Sequence, residues 1–167
     1  MSLQKSYIKV DVDGRVGYLS PFPPTFCTSS LIIEYSEGRK EGIILIRRGN
    51  EPYKGRLALP GGFLEERLDL GENGVKEAKE ETGLEITLED PDHPFCVKSH
   101  PDRDPRAHIV DHIYIAKGRG TLMAGDDAAG AGLYTLKEVS SFVRNSQLAF
   151  DHGEVLREYL DYRGQEQ

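Results

Sequence analysis

Cysteine, tryptophan and long apolar runs are scarce or absent in this chain of 167 residues. The two cysteines, Cys27 and Cys96, are too few for a disulfide framework and form no Cys-x-x-Cys pair, so we expect buried free thiols. The N-terminal residues lack the apolar stretch of a signal peptide or membrane anchor, and no other run approaches the length of a membrane span. We therefore expect a cytoplasmic protein without a membrane partner. Because tryptophan is absent, any side chain that stacks on a nucleobase must be Phe, Tyr, His or Arg.

Positive charge is also in short supply. Lys and Arg total 21 against 28 Asp and Glu, so the net charge is -7. A general nucleic-acid binder needs a basic face that displaces counterions from phosphates, and this balance argues against one. It does not argue against an enzyme that handles phosphates through metal ions, because carboxylates are the ligands of such sites. The position of the surplus acids therefore bears on the class of function.

The length favours one domain, and we expect residues 1–167 to form it. Alternating and apolar runs separated by Gly, Pro and Asp predict many strands with two or three helices, which indicates an α+β fold on a mixed sheet. Residues 1–24 are predicted to hold a β-hairpin that turns at Asp13-Gly14. Residues 60–62, Pro-Gly-Gly, are predicted to form a turn. The other expected strands are 26–34, 42–47, 57–59, 84–88, 96–99, 107–116 and 133–135, and the expected helices are 71–82, 137–144 and 152–162.

The helix predicted at 71–82 carries an acidic cluster. Glu77, Glu80 and Glu81 are spaced i, i+3 and i+4, so they share one face of the helix. Like charges this close repel one another and weaken an isolated helix. Two interpretations are open: a solvated charged face helped by Lys76 and Lys79, or a site for a hard metal ion.

A glycine-rich segment precedes this helix. Gly61 and Gly62 follow a short apolar run, and glycine lets the backbone approach an ion or a phosphate closely. Together with the helix, the segment resembles the signature box of the Nudix hydrolases, G-x5-E-x7-R-E-U-x-E-E-x-G-U, where U is apolar. The box spans residues 62–84 in the correct length. The matching residues are Gly62, Glu77, Ala78, Glu80, Glu81, Gly83 and Leu84.

The resemblance implies a Nudix-type α/β/α sandwich with a mixed central β-sheet. It also implies a loop-helix-loop that binds Mg²⁺ or Mn²⁺ and hydrolyses a nucleoside diphosphate linked to another group. The implied metal ligands are Glu77, Glu80, Glu81 and the carbonyl of Gly61. Glu80 and Glu81 are also candidate catalytic groups.

The identity of the general base stays open at this stage. One candidate is Glu81, and the others are Asp126 and Asp127 in the Gly- and Ala-rich segment 125–132. That segment is either an ordinary exposed turn or a lid that closes over the site.

Two positions depart from the box. Leu68 stands where the box has its first Glu, and Lys76 stands where it has Arg. The resemblance implies that the box Glu and Arg hold the loop against the helix. Arg presents a rigid fork of five donors and Lys only a point charge, so part of this brace is expected to be lost. Glu72 lies four residues before Lys76, the favourable order on a helix, and we hypothesise that this pair replaces part of the brace. Because the three Glu ligands remain, metal binding is expected, with reduced or altered turnover as an alternative.

The flanks of the box resemble the ADP-ribose pyrophosphatase branch of the family, at residues 47–62, 99–108, 124–127 and 148–152. This resemblance implies hydrolysis of ADP-ribose to AMP and ribose 5-phosphate. It also implies a homodimer, for which residues 1–24 are a candidate dimerisation segment. The alternatives are another nucleoside diphosphate sugar or NADH as the substrate, or a weakly catalytic or non-catalytic ADP-ribose-binding sensor.

Arginines and aromatic residues are the candidate substrate-binding groups. Arg103 and Arg106 suit either a bidentate clamp on phosphate or terminal ribose, or salt bridges to aspartates in their own turn. Arg47 and Arg48 follow a strand, and because strand faces alternate, one is expected to face the cleft and the other solvent. The candidates for stacking on adenine, with core packing as the alternative, are Tyr53 and Phe26.

Overall fold

The computed structural model of the chain describes residues 8–19, 24–123 and 130–165. Within these residues the chain forms ten strands and three helices, most of them expected from the sequence. The strands are β1 (Ile8–Val12), β2 (Arg15–Leu19), β3 (Phe26–Glu37), β4 (Lys40–Arg47), β5 (Leu57–Ala58), β6 (Gly61–Phe63), β7 (Glu85–Leu88), β8 (Cys96–Lys98), β9 (Ile109–Arg119) and β10 (Ala131–Tyr134). The helices are α1 (Leu70–Thr82), α2 (Leu136–Arg144) and α3 (His152–Gln165).

Eight of the described strands form one sheet, in the order β10-β4-β3-β9-β7, with β5 paired to β4, β6 to β3 and β8 to β9. Strands β3 and β9 run parallel, in a register that sets Phe26 opposite Ile109. The other pairs in this sheet are antiparallel, which confirms the mixed sheet predicted from the sequence. Because β3 and β9 are parallel neighbours, polar residues near the start of each strand meet at one end of the sheet.

Helices cover both faces of this sheet. On one face, α1 packs through Ala78 onto a cluster that contains Leu31 and Ile33 of β3. On the other face, α2 and α3 pack onto a cluster that contains Ile32 of β3 and Leu156 of α3. Leu31, Ile32 and Ile33 are fully buried, and burial of each side chain stabilises the fold by roughly 1.5–3 kcal/mol. The expected α/β/α sandwich is confirmed.

Strands β1 and β2 form a separate antiparallel sheet of two strands. Its turn residues Asp13 and Gly14 have φ values of 52° and 76°, the left-handed backbone that a tight hairpin turn requires. Ile8 and Val16 of this hairpin are 62% and 55% exposed. The dimerisation role expected for this segment stays a prediction.

The turn predicted at residues 60–62 is wrong, because Gly61–Phe63 form a strand that pairs with β3. The backbones approach closely at Gly61, where a Cβ would lie 2.2 Å from the carbonyl oxygen of Ser29. The N–H of Leu31 also donates to the Pro60 carbonyl at 2.8 Å. The pairing partner lies far earlier in the chain, so the local Pro-Gly-Gly sequence does not reveal it.

The two cysteines are free, but both are half-buried rather than fully buried as expected. Burial raises the pKa of the Cys96 thiol to about 11, so this thiol stays protonated at neutral pH. No helix in the described part of the chain is long and apolar enough to cross a membrane.

Candidate active site

A cleft of about 220 Å³ opens where β3, β6 and β9 meet α1 and the start of α3. Among the site residues predicted from the sequence, those that line the cleft are Arg48, Gly61, Glu81, Arg103 and Arg106. Its other linings include the hydroxyl, carboxyl, imidazole and phenyl groups of Thr28, Ser30, Asp111, His152, Phe63 and Phe150. The cleft therefore combines acidic, basic and aromatic surfaces.

Helix α1 is fixed at both of its ends. The Asp69 side chain accepts the backbone N–H of Glu72, and the Glu72 side chain accepts that of Asp69, which forms a capping box. At the other end, Gly83 adopts the left-handed conformation and its N–H donates to the Lys79 carbonyl. These caps stabilise the helix despite the repulsion within its acidic cluster. The buried residues of α1 are Gly71, Asn73, Gly74, Ala78 and Thr82.

Glu81 contacts the glycine segment directly. Its carboxylate accepts the backbone N–H of Gly61 at 2.9 Å. Burial raises the pKa of Glu81 to about 8, the Gly61 hydrogen bond offsets part of that rise, and the neighbouring Glu77 charge adds to it. With this pKa the carboxyl group stays largely protonated at neutral pH in the metal-free protein, and a cation that binds there would displace the proton.

Glu77 lies against the next glycine. A Cβ on Gly62 would come within 2.5 Å of the Glu77 carboxyl group, so a side chain at this position would close the approach. Burial also raises the pKa of Glu77. Glu77 and Glu81 thus present hard oxygen donors whose charged forms are only partly compensated by the protein, beside two glycines without side chains. This donor set fits Mg²⁺ or Mn²⁺, either of which would relieve the repulsion between the two groups.

Glu80 lies apart from this pair. Its side chain is 60% exposed and forms an ion pair with Lys76 at 2.9 Å. Within the ranges that the structure describes, no three or more His, Cys, Asp or Glu side chains are grouped to hold a metal ion. The expected convergence of three Glu ligands is therefore not seen: two approach the glycines, and the third pairs with the lysine that replaces the box Arg.

The hypothesis of a Glu72–Lys76 pair is wrong. The Glu72 side chain belongs to the helix cap, and the Lys76 amine binds Glu65 at 2.9 Å in addition to its partner on α1. The loop is tied to α1 by the buried Asn73, whose side chain accepts the N–H of Glu65 and donates to the Ser29 hydroxyl, both at 3.0 Å. A polar side chain on the buried face of the helix was the sequence signal for this brace.

Asp111 of β9 is the centre of a buried polar network in the cleft. It is 1% exposed and accepts hydrogen bonds from the hydroxyls of Thr28 and Ser30. The Arg103 guanidinium donates to Asp111 at 3.2 Å and binds Asp151 through two hydrogen bonds of 2.8 and 2.6 Å. Burial alone would raise the pKa of Asp111, but the surrounding donors and positive charge hold it below its usual range.

The same contacts decide between the two interpretations of Arg103. Its guanidinium is 4% exposed and is occupied by two carboxylates, so it does not offer a free bidentate fork to a phosphate. The salt-bridge interpretation is the one present in the structure. The partners are Asp111 and Asp151, however, and not the aspartates of its own turn.

Arg106 and Arg48 meet at an aromatic ring in the cleft. Arg106 makes a bidentate contact with Asp104, and its guanidinium lies 5.0 Å from the centre of the Phe63 ring and 5.5 Å from that of Phe150. The Arg48 guanidinium lies 4.7 Å from the Phe150 ring. Burial and the nearby charge of Arg106 lower the pKa of Arg48. This surface is suited to flat and anionic groups.

Arg47 does not line the cleft, and two further predicted residues fall outside the described part of the chain. Arg47 lines a separate pocket together with Arg56, while the adjacent Arg48 faces the cleft, as the alternation of strand faces predicts. Asp126 and Asp127 lie outside the described residues. Their role as base or lid therefore stays a prediction.

Tyr53 and Phe26, the predicted adenine-stacking residues, each pack against a ring that lines the cleft. Tyr53 packs edge-on against Phe150 with ring centres 4.9 Å apart, and Phe26 packs edge-on against Phe63 at 6.3 Å. Phe150 and Phe63 line the cleft, whereas Tyr53 and Phe26 support them from outside it. The stacking role expected of Tyr53 and Phe26 stays a prediction, and Phe150 and Phe63 are added to the candidates because they line the cleft.

Sequence reasoning also missed Asp111. An isolated aspartate within the apolar run 109–116 signals a buried and partnered carboxylate, because Asp is rarely buried otherwise. No comparable signal marks Phe150. Its position depends on a bridge between Leu57 and Leu148 that brings the chain before α3 back to the cleft.

Comparison with known proteins decides the family. A sequence profile of the NUDIX domain matches residues 28–159. The chain belongs to the Nudix hydrolase family. It is 40% identical over 122 residues to the ADP-ribose pyrophosphatase of Methanocaldococcus jannaschii, in a match that covers 72% of this chain and 67% of that protein. The family membership predicted from the box is confirmed.

Solved Nudix structures share the fold. The bifunctional NMN adenylyltransferase/ADP ribose pyrophosphatase of Francisella tularensis, in complex with AMP and a Mn ion, matches with a TM-score of 0.68 and 25% identity over 86% of this Nudix chain. The match spans 43% of the Francisella chain, less than half of its length. The NUDIX domain of Shewanella oneidensis NrtR, in complex with ADP ribose, gives a TM-score of 0.70 at 22% identity and covers 84% of this chain and 90% of that one.

Proposed function

We propose that this Nudix hydrolase cleaves the pyrophosphate bond of ADP-ribose to AMP and ribose 5-phosphate, with Mg²⁺ or Mn²⁺ as the cofactor. The observation that carries the proposal is the apposition of Glu77 and Glu81 to Gly61 and Gly62 in a cleft that also presents arginines and phenyl rings. The identity to a protein named as an ADP-ribose pyrophosphatase supports the choice of substrate.

The acidic side of the cleft is proposed to hold the metal and to move the proton. Glu77 and Glu81 would hold the ion with the Gly61 carbonyl, and Glu80 would join them once its lysine pair opens. A bound divalent ion neutralises phosphate charge and lowers the pKa of water. Glu81 is proposed to accept the proton of the attacking water, with Asp126 and Asp127 as alternative bases.

The bond changes in this reaction balance without a further reactant. The water oxygen bonds to one phosphorus atom, and the bond from that phosphorus to the bridging oxygen breaks. The leaving phosphate keeps the electron pair, and the water proton passes to the carboxylate. Two monoesters, AMP and ribose 5-phosphate, result.

The basic and aromatic side is proposed to bind the rest of the substrate. Arg48 would bind the diphosphate through charge-assisted hydrogen bonds, together with the Nη1 group of Arg106, which Asp104 does not engage. Phe150 and Phe63 would contact the adenosine. Arg103 would act indirectly, because its guanidinium is already held by carboxylates.

The test is a substrate panel of ADP-ribose, another nucleoside diphosphate sugar and NADH, each with Mg²⁺, analysed by chromatography for released AMP. We expect ADP-ribose to be turned over and Glu81→Gln to lower kcat by roughly 10²–10⁴-fold. The exposed Glu66→Gln serves as the matched control and should keep its activity.

Two other outcomes would redirect the assignment. Faster turnover of a different member of the panel would replace ADP-ribose as the substrate. Tight binding of ADP-ribose with no turnover of any compound would support a sensor instead. The ion pair between Lys76 and Glu80, which occupies one predicted ligand, is the observation that favours this second candidate.

We also propose a homodimer whose contact includes the hairpin β1–β2. An isolated two-stranded hairpin is marginal in water, and the exposed Ile8 and Val16 would gain from a partner surface. Light scattering coupled to size exclusion should give twice the chain mass of 18.7 kDa, and a monomer at all concentrations would contradict the dimer. A nucleotide substrate and free cysteines also agree with the expected cytoplasmic location.

A further inference from the structure

His152, the first residue of α3, lies in the cleft without belonging to the Nudix box. Its side chain is 5% exposed, and its Nδ1 atom accepts the backbone N–H of Leu59 at 3.0 Å. A backbone amide is always the donor, so Nδ1 must offer its lone pair. The neutral ring then carries its proton on Nε2.

The Nε2 side of the ring faces a fixed carboxylate. Nε2 lies 3.8 Å from an oxygen of Asp111, which is itself held by Ser30 and Arg103. This distance is too long for a direct hydrogen bond, but the negative charge favours the ring orientation that points the Nε2 proton toward it. His152 therefore spans the space between a rigid carboxylate and a backbone amide.

The amide that His152 holds belongs to the segment facing the acidic side of the cleft. Three consecutive residues of this segment are anchored by three different elements. The Leu59 N–H binds His152 of α3, the Pro60 carbonyl accepts the N–H of Leu31 in β3, and the Gly61 N–H binds Glu81 of α1. The position of the glycines relative to the carboxylates thus depends on an anchor far from them in sequence.

We propose that His152 is a positioning residue, which holds the Leu59–Gly62 backbone against the Glu77 and Glu81 carboxylates. The inference rests on the proposed function, in which this segment and these carboxylates hold the divalent ion. The occupied Nδ1 lone pair also excludes that atom as the base of the reaction. His152 acts through the backbone, as groups that orient metal ligands do.

Two substitutions at His152 distinguish loss of the hydrogen-bond acceptor from loss of side-chain volume. His152→Ala removes the acceptor, whereas His152→Asn keeps an oxygen acceptor at nearly the distance of Nδ1 along the side chain. Tyr159→Phe is the matched control, because Tyr159 is a buried residue of the same helix whose hydroxyl donates to Glu34 outside the cleft. This control shows how loss of another partly buried hydrogen bond of α3 affects exchange and metal binding.

The measurements are hydrogen exchange at the amides of Leu59, Gly61 and Gly62 in the metal-free protein, Mn²⁺ affinity by calorimetry, and kcat and KM for ADP-ribose. We expect His152→Ala to speed exchange at these residues and to weaken Mn²⁺ binding by roughly 10–100-fold. It should lower kcat more than it raises KM. His152→Asn should recover most of the wild-type exchange protection, Mn²⁺ affinity and kcat. Tyr159→Phe should leave amide exchange in this segment and Mn²⁺ affinity unchanged.

The proposal is overturned if His152→Ala exchanges and binds Mn²⁺ like the wild type, if His152→Asn is no better than His152→Ala, or if Tyr159→Phe weakens Mn²⁺ binding equally. Failure of the proposed function looks different. In that case the wild type binds Mn²⁺, the variants differ as expected in exchange and affinity, and ADP-ribose is not turned over.

Discussion

Glu81 and Asp111 line the same cleft, yet their surroundings shift the two carboxyl pKa values in opposite directions. Glu81 is held by one backbone N–H and lies beside Glu77, and burial raises its pKa to about 8. Asp111 is more deeply buried, but the neighbouring His152, the Arg103 guanidinium and the Thr28 hydroxyl hold its pKa below the usual range.

The contrast separates a carboxylate that stabilises the fold from one that is prepared for a ligand. The charge of Asp111 is already balanced, so the network around it has little to gain from a cation. Lys76 at Glu77, and the Gly61 N–H and Arg48 at Glu81, offset only part of the cost of burying these charges, and a divalent ion would offset the rest. Perturbed groups of this second kind concentrate at functional sites.

The largest effect is expected from breaking the balanced network. Asp111→Ala leaves the buried Ser30 hydroxyl, the partly buried Thr28 hydroxyl and part of the Arg103 guanidinium without an acceptor. Loss of one partner from a buried ion pair costs about 3–5 kcal/mol, so the free energy of unfolding in urea should fall by that amount. The exposed Asp161→Ala is the control and should change it by less than about 0.5 kcal/mol. Equal stability of the two variants would show that the network does not stabilise the fold.

An effect of opposite sign, smaller for each pH unit, is expected at Glu81, whose charged form destabilises the metal-free fold. Its folded-state pKa lies above the ordinary value of 4.5, so the metal-free protein binds more protons than the unfolded chain between pH 4.5 and about 8. The free energy of unfolding should therefore fall as the pH rises through this window, by up to about 1.4 kcal/mol per pH unit from this group. Glu81→Gln should flatten the slope measured by urea unfolding at a series of pH values. An unchanged slope in this variant would mean that folding does not raise the pKa of Glu81.

The two carboxylates also mark what the sequence could and could not reveal. The acidic and glycine-rich segment predicted the helix, and the full box over residues 62–84 carried the resemblance to the family. The alternation of apolar residues likewise predicted the mixed sheet and its covering helices. These signals are local, and the box is short enough to be recognised in one segment of the chain.

The basic side of the cleft depends on contacts between distant segments. Ser30 and Asp111 are 81 positions apart, and Arg103 and Asp151 are 48 apart. No local sequence pattern predicts that Arg103 binds the carboxylates of Asp111 and Asp151 instead of a phosphate. The pairing of Lys76 with Glu65 instead of Glu72 was missed for a similar reason, because Glu65 lies in the loop before the helix.

The most direct test of the account is the number of protons released when Mg²⁺ binds. Calorimetric titrations at pH 7 in buffers of different ionisation enthalpy measure this number without any substrate. With a pKa of about 8, Glu81 carries about 0.9 proton at pH 7, so the wild type should release close to one proton per bound ion and Glu81→Gln close to none. Binding of Mg²⁺ by the wild type without proton release, or equal release by both proteins, would contradict the claim that Glu81 is held ready for a divalent ion.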